Sequence, residues 1–138
     1  MRYKKQKGNV LTTHSKYYIA HCISADYNMG AGIAKHIQRK HNIRGVLKRE
    51  GDNTFPDCII TKKIINLVTK KKYYHKPKYR HVEQSLIMMR DKLKEHNIKY
   101  VVMPKIGSGL DRLSWARVEN IIKKVFKNED VEILVKYL

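Results

Sequence analysis

The tripeptide Thr-Lys-Lys occurs twice in this chain, at residues 61–63 and at residues 69–71. A lysine amine is a nucleophile once it has lost its proton, so either copy could supply covalent chemistry. The second copy opens the segment TKKKYYHKPK, residues 69–78, in which most side chains are basic or aromatic. Its lysines either form a solvated basic surface or include one amine that acts on a substrate. Residue types alone leave both interpretations open.

Two glycine-rich segments could bind an anion. They read MGAGIA at residues 29–34 and PKIGSGLDRL at residues 104–113. Glycine leaves room for a ligand next to backbone amides, and amides at the start of a helix attract phosphate. Either segment alone is more simply explained as a tight turn. Two such segments before helices favour a diphosphate site, and neither has the spacing of a Walker loop or of a dinucleotide-binding motif.

Hydrophobic periodicity predicts the elements that must position these segments. Apolar runs predict strands at residues 17–24, 58–62, 64–69, 99–103 and 131–135. Helical patterns predict helices at residues 31–40, 42–51 and 79–96, and a last helix after Ser114, a suitable N-cap. This alternation is typical of one α/β domain, here residues 1–138, with helices on both faces of the sheet.

The net charge of +18 is unusual for a chain of 138 residues. It predicts a polyanionic partner such as nucleic acid, or an anionic ligand attracted by the field of the protein. The excess comes from 22 Lys against 8 Arg. Because arginine is the better two-point phosphate ligand, a codon bias toward lysine is a competing explanation that needs no partner.

The cysteines, histidines and N-terminus indicate the compartment. Cys22 and Cys58 lie in apolar runs and are expected to be free thiols, which favours a reducing environment. The basic N-terminus lacks the apolar stretch of a secretory signal, and no apolar run approaches the length of a membrane span. The seven histidines form no HExxH pattern and the cysteines have no zinc spacing. We therefore expect a cytoplasmic monomer without metal, cofactor or membrane contact.

Five motifs occur in order along the chain: IAHCIS at residues 19–24, DYNMGAGIA at 26–34, LVTKK at 67–71, HKPKY at 75–79 and MPKIGSGLDRLSW at 103–115. In this order they resemble the macrodomains of the terminal ADP-ribose protein glycohydrolase type, also called ALC1-like. The resemblance implies a three-layer α/β/α macrodomain with a central mixed, mostly parallel sheet that binds ADP-ribose. It also implies an ADP-ribosyl hydrolase that removes mono-ADP-ribose from acidic side chains, with O-acetyl-ADP-ribose as a small analogue.

The resemblance also distinguishes the two Thr-Lys-Lys copies. In the family, the catalytic lysine follows a threonine at the end of a strand, shortly before the HKP turn. That position is Lys70, whereas Lys62 lies too far upstream. The aspartate of the GLD motif is Asp111, and the resemblance implies that it transfers protons while Lys70 attacks C1″ of the distal ribose. Without the resemblance, a solvated loop lysine and a helix-entry carboxylate are the simpler interpretations.

A substrate-binding set follows from the same resemblance. Asn9 stands where the family often has an aspartate that binds the adenine amino group, and its side-chain oxygen can still accept that hydrogen bond. His21 matches the strand beside the distal ribose but is equally explained as a core histidine. The implied set is Asn9, Val10, His21, Ser24, Met29, Gly30, Ala31, Gly32, Ile33, Thr69, Pro104, Ile106, Gly107, Ser108, Gly109 and Leu110.

Three functions remain open at this point. The first is hydrolysis of ADP-ribosyl esters of Asp and Glu, and the second is reversal of ADP-ribosylation on DNA bases, as an antitoxin would do, which the charge of +18 favours. The third is a non-catalytic reader of ADP-ribose, against which the presence of both Lys70 and Asp111 argues. The expected partners are ADP-ribose and ADP-ribosylated proteins, with ADP-ribosylated DNA as the alternative.

Overall fold

A computed structural model, which describes residues 1–138, contains one six-stranded sheet and four helices. The strands are β1 (Arg2–Lys7), β2 (Tyr18–Ser24), β3 (Asp57–Thr61), β4 (Ile64–Lys70), β5 (Tyr100–Met103) and β6 (Glu132–Tyr137). The helices are α1 (Gly32–His41), α2 (Arg44–Glu50), α3 (Tyr79–Glu95) and α4 (Trp115–Phe126), and a short 3₁₀ turn spans Val10–Thr12. The predicted strands and helices are confirmed, with ends that differ by a few residues at most.

The strand order across the sheet is β1-β6-β5-β2-β4-β3. Every neighbouring pair is parallel except β3 and β4, which form an antiparallel hairpin. This confirms the mixed, mostly parallel sheet. Parallel strands place their carboxyl ends at one edge, so the segments that follow β2, β4 and β5 meet there.

Both faces of the sheet are covered, which confirms the three-layer arrangement. Along β4, Ile65 and Leu67 pack with the α3 and α4 side, whereas Ile64 and Val68 pack with the α1 and α2 side. A strand buried on both faces has a continuous apolar run, which is why IINLVT shows no polar alternation. The longest helix, α3, has 17 residues, and no helix is both long and apolar enough to cross a bilayer.

The edge strand β1 was absent from the prediction. Its sequence RYKKQK exposes every residue except the half-buried Tyr3, so it has no apolar alternation that periodicity could detect. It pairs in parallel with β6, from Arg2 beside Glu132 to Lys7 beside Tyr137. Lysines on an edge strand discourage pairing with another chain, which gives this basic N-terminus a structural role.

Candidate active site

A cleft of about 540 Å³ opens at the edge where β2, β4 and β5 end. It forms because β2 pairs with β5 only through Tyr18 and Ile19 but with β4 as far as Ser24. The second half of β2 is therefore separated from the segment that follows β5. A ligand site between diverging strands is the usual one in open α/β sheets.

The cleft contains an ion pair between Lys70, at the end of β4, and Asp111, in the segment between β5 and α4. Lys70 Nζ donates to Asp111 Oδ1 at 2.7 Å, and the two side chains are only 15% and 14% exposed. A smaller cavity of about 300 Å³ at the opposite edge includes Lys99 and Asp130, but that pair is largely solvated. The part-buried pair of Lys70 and Asp111 combines a potential nucleophile with a carboxylate that can take its proton.

One wall of the cleft is the start of α1. No side chain caps this helix, and Gly32 at its first position has a left-handed φ of +61°. A Cβ at Gly32 would lie 3.2 Å from Leu110 Cδ1, so glycine allows the two glycine-rich segments to touch. Uncapped amides at a helix start, with the positive end of its dipole, suit an anion. The Gly30 amide donates to Asn28 Oδ1 at 3.0 Å, a bond that a phosphate oxygen would have to replace.

The opposite wall is the segment between β5 and α4. Gly107 has a left-handed φ of +74°, and the Leu113 amide donates back to its carbonyl at 2.7 Å. The amides of Gly107, Gly109, Leu110 and Asp111 donate no hydrogen bond within the protein. Gly109 has nothing within 4 Å of where a Cβ would stand. The segment thus has four backbone donors without a protein partner beside the cleft, as an anion-binding loop does.

Asp26 holds the segments around the cleft together. Its carboxylate accepts from Ser24 Oγ, from the Asn28 amide at 3.0 Å and from the Tyr73 amide at 3.0 Å. Burial disfavours its charged form, but these hydrogen bonds and the charge of Lys72 outweigh burial and lower the pKa of Asp26. The carboxylate therefore ties the segment after β2 to the segment after β4.

The mouth of the cleft is bordered by residues 71–76, KKYYHK, which we call the rim. Tyr73 and Tyr74 line the cleft and are nevertheless 57% and 67% exposed. Lys76 Nζ donates to the Leu110 carbonyl at 2.9 Å and so bridges the cleft mouth. The sequence prediction omitted these residues, because tyrosine occurs both in cores and at surfaces and only the structure shows that these two are exposed.

Most of the predicted site lies around this cleft. Its lining includes these predicted residues: Ser24, Gly30, Ala31, Gly32, Ile33, Lys70, Pro104, Ile106, Gly107, Gly109, Leu110 and Asp111. It also includes residues that the prediction omitted: Cys22, Ile23, Asn28, Ala34, Tyr73, Tyr74, Lys76 and Lys105.

Both cysteines are free thiols, and burial, together with the charge of Asp111, raises the pKa of Cys22 to about 12. Cys22 is therefore a neutral thiol beside the ion pair rather than a second nucleophile.

Six predicted residues do not line the cleft: Asn9, Val10, His21, Met29, Thr69 and Ser108. Asn9 Oδ1 accepts from the Leu11 amide at 2.9 Å and thereby caps the 3₁₀ turn. Ser108 Oγ donates to the Lys105 carbonyl at 2.6 Å. The other four are buried, and Val10 and Met29 belong to the core beneath α1 and α2.

His21 lies in a polar network inside the core. The side chain is fully buried, and its Nε2 contacts Asn66 Oδ1 at 2.7 Å on the neighbouring strand β4. Asn66 Nδ2 donates in turn to the Ile59 carbonyl and to Thr61 Oγ1. Burial lowers the pKa of His21 from 6.5 to about 4, against a smaller opposite effect of Asn66, so the imidazole is neutral in the folded protein at pH 7.

His21 should make the stability of the protein depend on pH. Its pKa is lower in the folded state than in the unfolded state, so the unfolded state binds a proton first as pH falls. The neutral His21 therefore contributes fully to the free energy of unfolding above pH 6.5, and this contribution is lost as the pH falls toward 4. The loss between pH 7 and pH 5 is about 2 kcal/mol. Urea unfolding at both pH values should show this loss in the wild type. The variant His21→Gln should no longer show this loss of stability, whereas the control His14→Gln, at an exposed position, should still show it. An unchanged pH dependence in His21→Gln would contradict the assignment to His21.

Comparison with known families places the chain in one of them. The profile of the Macro domain family matches residues 20–122, a range that includes most of β2, the cleft and most of α4. The chain belongs to the Macro domain family. The family resemblance noted from the five motifs is therefore confirmed.

Similar proteins agree with this placement. The human protein named ADP-ribose glycohydrolase OARD1 is 35% identical over 142 residues, covering 94% of this chain and 87% of that protein. The macrodomain of Mycobacterium tuberculosis DarG has a similar fold, with a TM-score of 0.87 at 22% identity, over 99% of this chain and 97% of that chain. Thermosipho africanus DarTG, solved in complex with ADP-ribose, has a TM-score of 0.79 at 14% identity, over 98% of this chain and 41% of that chain.

Proposed function

We propose that this protein is an ADP-ribosyl hydrolase that binds ADP-ribose in the cleft and removes mono-ADP-ribose from acidic side chains of proteins. The observation that carries the proposal is the part-buried contact between Lys70 and Asp111 beside two sets of unpaired amides. The similarity to ADP-ribose glycohydrolase OARD1 supports the reaction class. The amides would hold the diphosphate and thereby place the distal ribose at the ion pair, which supplies proximity.

In the proposed reaction, Asp111 takes the proton of the Lys70 ammonium through the hydrogen bond between them. The free amine attacks C1″ of the distal ribose, the bond from C1″ to the carboxylate oxygen breaks, and the acidic side chain leaves as a carboxylate. The ribose ring of this adduct then opens, with Asp111 transferring the proton to the ring oxygen, and gives an imine between C1″ and the Lys70 nitrogen. Water adds to C1″ of the imine, the lysine leaves, and the ring closes again. The products are ADP-ribose and the regenerated Lys70, so the reaction consumes one water.

A second linkage, ADP-ribose attached to a base of DNA, would use the same chemistry with the base as leaving group. The observation that favours it is the unpaired positive charge of the rim at the cleft mouth. Release assays with glutamate-linked ADP-ribosyl protein and with ADP-ribosylated DNA compare the two linkages directly.

Binding of ADP-ribose can be tested with Gly109→Glu. A side chain at Gly109 meets open space, so the new carboxylate should enter the cleft without disturbing the fold and repel the diphosphate. Like charges brought together cost several kcal/mol, so calorimetry should show affinity at least about 100-fold lower than the wild-type 1:1 complex. Gly45→Glu, the same change on the exposed face of α2, is the matched control. If the wild type and Gly109→Glu bound ADP-ribose equally well in calorimetry, the ligand would lie elsewhere. If the wild type released no ADP-ribose from either linkage in the release assays, the proposed hydrolysis would be refuted.

A further inference from the structure

The segment between β5 and α4, which carries Asp111, has few bonds to the rest of the protein. The two neighbours of Asp111, Leu110 and Arg112, are exposed, and the Asp111 carboxylate accepts a single hydrogen bond, from Lys70. The backbone hydrogen bonds of residues 104–114 run within the segment or to the first turn of α4. The position of the carboxylate therefore depends on whatever fixes the backbone on either side of Asp111.

Two side chains of the HKPKY motif bond to this segment, one on each side of Asp111. Lys76 Nζ donates to the Leu110 carbonyl at 2.9 Å, directly before Asp111. The Tyr79 hydroxyl accepts from the Ser114 amide at 2.8 Å, beyond Asp111 on the other side. We call Lys76 and Tyr79 the clamp. Apart from the ion pair in the cleft, these bonds alone tie the segment to elements other than α4.

The sequence around the clamp restricts where its two side chains start. Pro77 is buried and has a fixed φ, and a residue before proline is confined to extended conformations, so the backbone of Lys76 has little freedom. Tyr79 is the first residue of α3, and the Arg117 guanidinium lies 3.8 Å from its ring centroid. Both clamp residues thus extend from fixed backbone positions, as residues that position another group must.

The clamp and the proposed nucleophile lie in one short stretch of chain, residues 70–79. Proton transfer from Lys70 to Asp111 requires the hydrogen-bond distance that they have, 2.7 Å. We propose that Lys76 and Tyr79 are positioning residues that hold Asp111 at this distance from Lys70. The effect of the clamp on turnover rests on the proposed function, whereas its effect on the geometry of the ion pair does not.

Turnover of Lys76→Met and Tyr79→Phe tests the clamp. With saturating glutamate-linked substrate, each change should lower kcat about 10-fold and both together about 100-fold, since a displacement of about 1 Å costs on that order. Lys76→Arg keeps a donor for the Leu110 carbonyl and should restore most of kcat. Affinity for ADP-ribose in calorimetry should change less than about 3-fold. Weaker binding with unchanged kcat would make Lys76 a substrate ligand and overturn the inference.

The same changes in an Asp111→Ala background separate positioning from general support of the fold. A residue that acts through Asp111 has nothing left to position once the carboxylate is gone. Adding Lys76→Met or Tyr79→Phe to Asp111→Ala should therefore change single-turnover release by less than about 2-fold. A further loss of about 10-fold would show that the clamp residues act independently of Asp111, and would also overturn the inference.

Two control variants remove equivalent hydrogen bonds elsewhere. Lys62→Met removes an amine that also donates to a carbonyl at 2.9 Å, that of His41. Tyr3→Phe removes a hydroxyl that donates to Glu119 of α4 at 2.6 Å. Both controls should keep the wild-type kcat. If they lost as much activity as the clamp variants, the losses would not be specific to the segment of Asp111 and the clamp would be refuted.

Crystal structures of the wild type and of Lys76→Met/Tyr79→Phe read the geometry without activity. In the double variant, the distance from Lys70 Nζ to Asp111 Oδ1 should exceed about 3.5 Å, beyond a hydrogen bond. If the wild type released no ADP-ribose but Asp111 moved in the double variant, the proposed function would be refuted and the clamp would stand. If the wild type were active and Asp111 stayed in place in the double variant, the clamp alone would be refuted.

Discussion

Lys70→Arg should retain ADP-ribose binding and lose hydrolysis by at least about 1,000-fold. Arginine keeps the positive charge next to Asp111 but stays protonated near neutral pH, so it cannot attack C1″. Calorimetry measures the binding, and release of ADP-ribose from a glutamate-linked substrate measures the hydrolysis. A lysine that acted only by its charge would tolerate this substitution, so substantial activity in Lys70→Arg would refute the nucleophilic role.

The repeated Thr-Lys-Lys supplies an internal control for this prediction. Lys62 lies in the turn before β4, with a left-handed φ of +53°, and its amine donates to the His41 carbonyl at 2.9 Å. The seven-residue strand β4 begins just after this turn and ends at Lys70, so its length places the two lysines about 20 Å apart. Lys62→Ala should therefore retain most of the activity, whereas Lys70→Ala, with the same loss of charge, should abolish turnover. The reverse result would show that the wrong copy was chosen.

Asp111→Ala should slow turnover by about 100- to 10,000-fold and accumulate a covalent ADP-ribosyl enzyme. The substitution removes the carboxylate 2.7 Å from Lys70 Nζ. If Asp111 is required more for resolving the adduct than for forming it, the intermediate persists. Intact-protein mass spectrometry after reductive trapping should show the added mass, and peptide analysis should locate it at Lys70.

The double variant Lys70→Arg/Asp111→Ala is the control for trapping, because it lacks the nucleophile and should gain no mass. A mass increase at any other residue would identify a different nucleophile. Absence of an adduct from every variant, combined with activity in Lys70→Arg, would leave Asp111 activating water directly and exclude covalent catalysis.

Several features were determined by the sequence alone, because they depend on local patterns. The apolar run IINLVT predicts a strand, and β4 is a strand over Ile64–Lys70. Ser114 was predicted to cap a helix, and its Oγ accepts from the Arg117 amide. The motif order identified the family, which the match over residues 20–122 confirms. Burial periodicity and capping are encoded within a few residues, so a single sequence is enough to detect them.

Other features were decided only by the tertiary structure, because they depend on which surfaces meet. The contact of Lys70 with Asp111 joins residues 41 positions apart, and the divergence of β2 from β5 creates the cleft that contains it. His21 appears in the same motif as Ser24 but points into the core, where its Nε2 contacts Asn66 and its Nδ1 has no hydrogen-bond partner. Conversely, Tyr73 and Tyr74 are apolar enough to resemble core residues, yet the anchored rim holds them in solvent. Local sequence specifies the elements, whereas the burial of each loop residue depends on the pairing of strands that are distant in the chain.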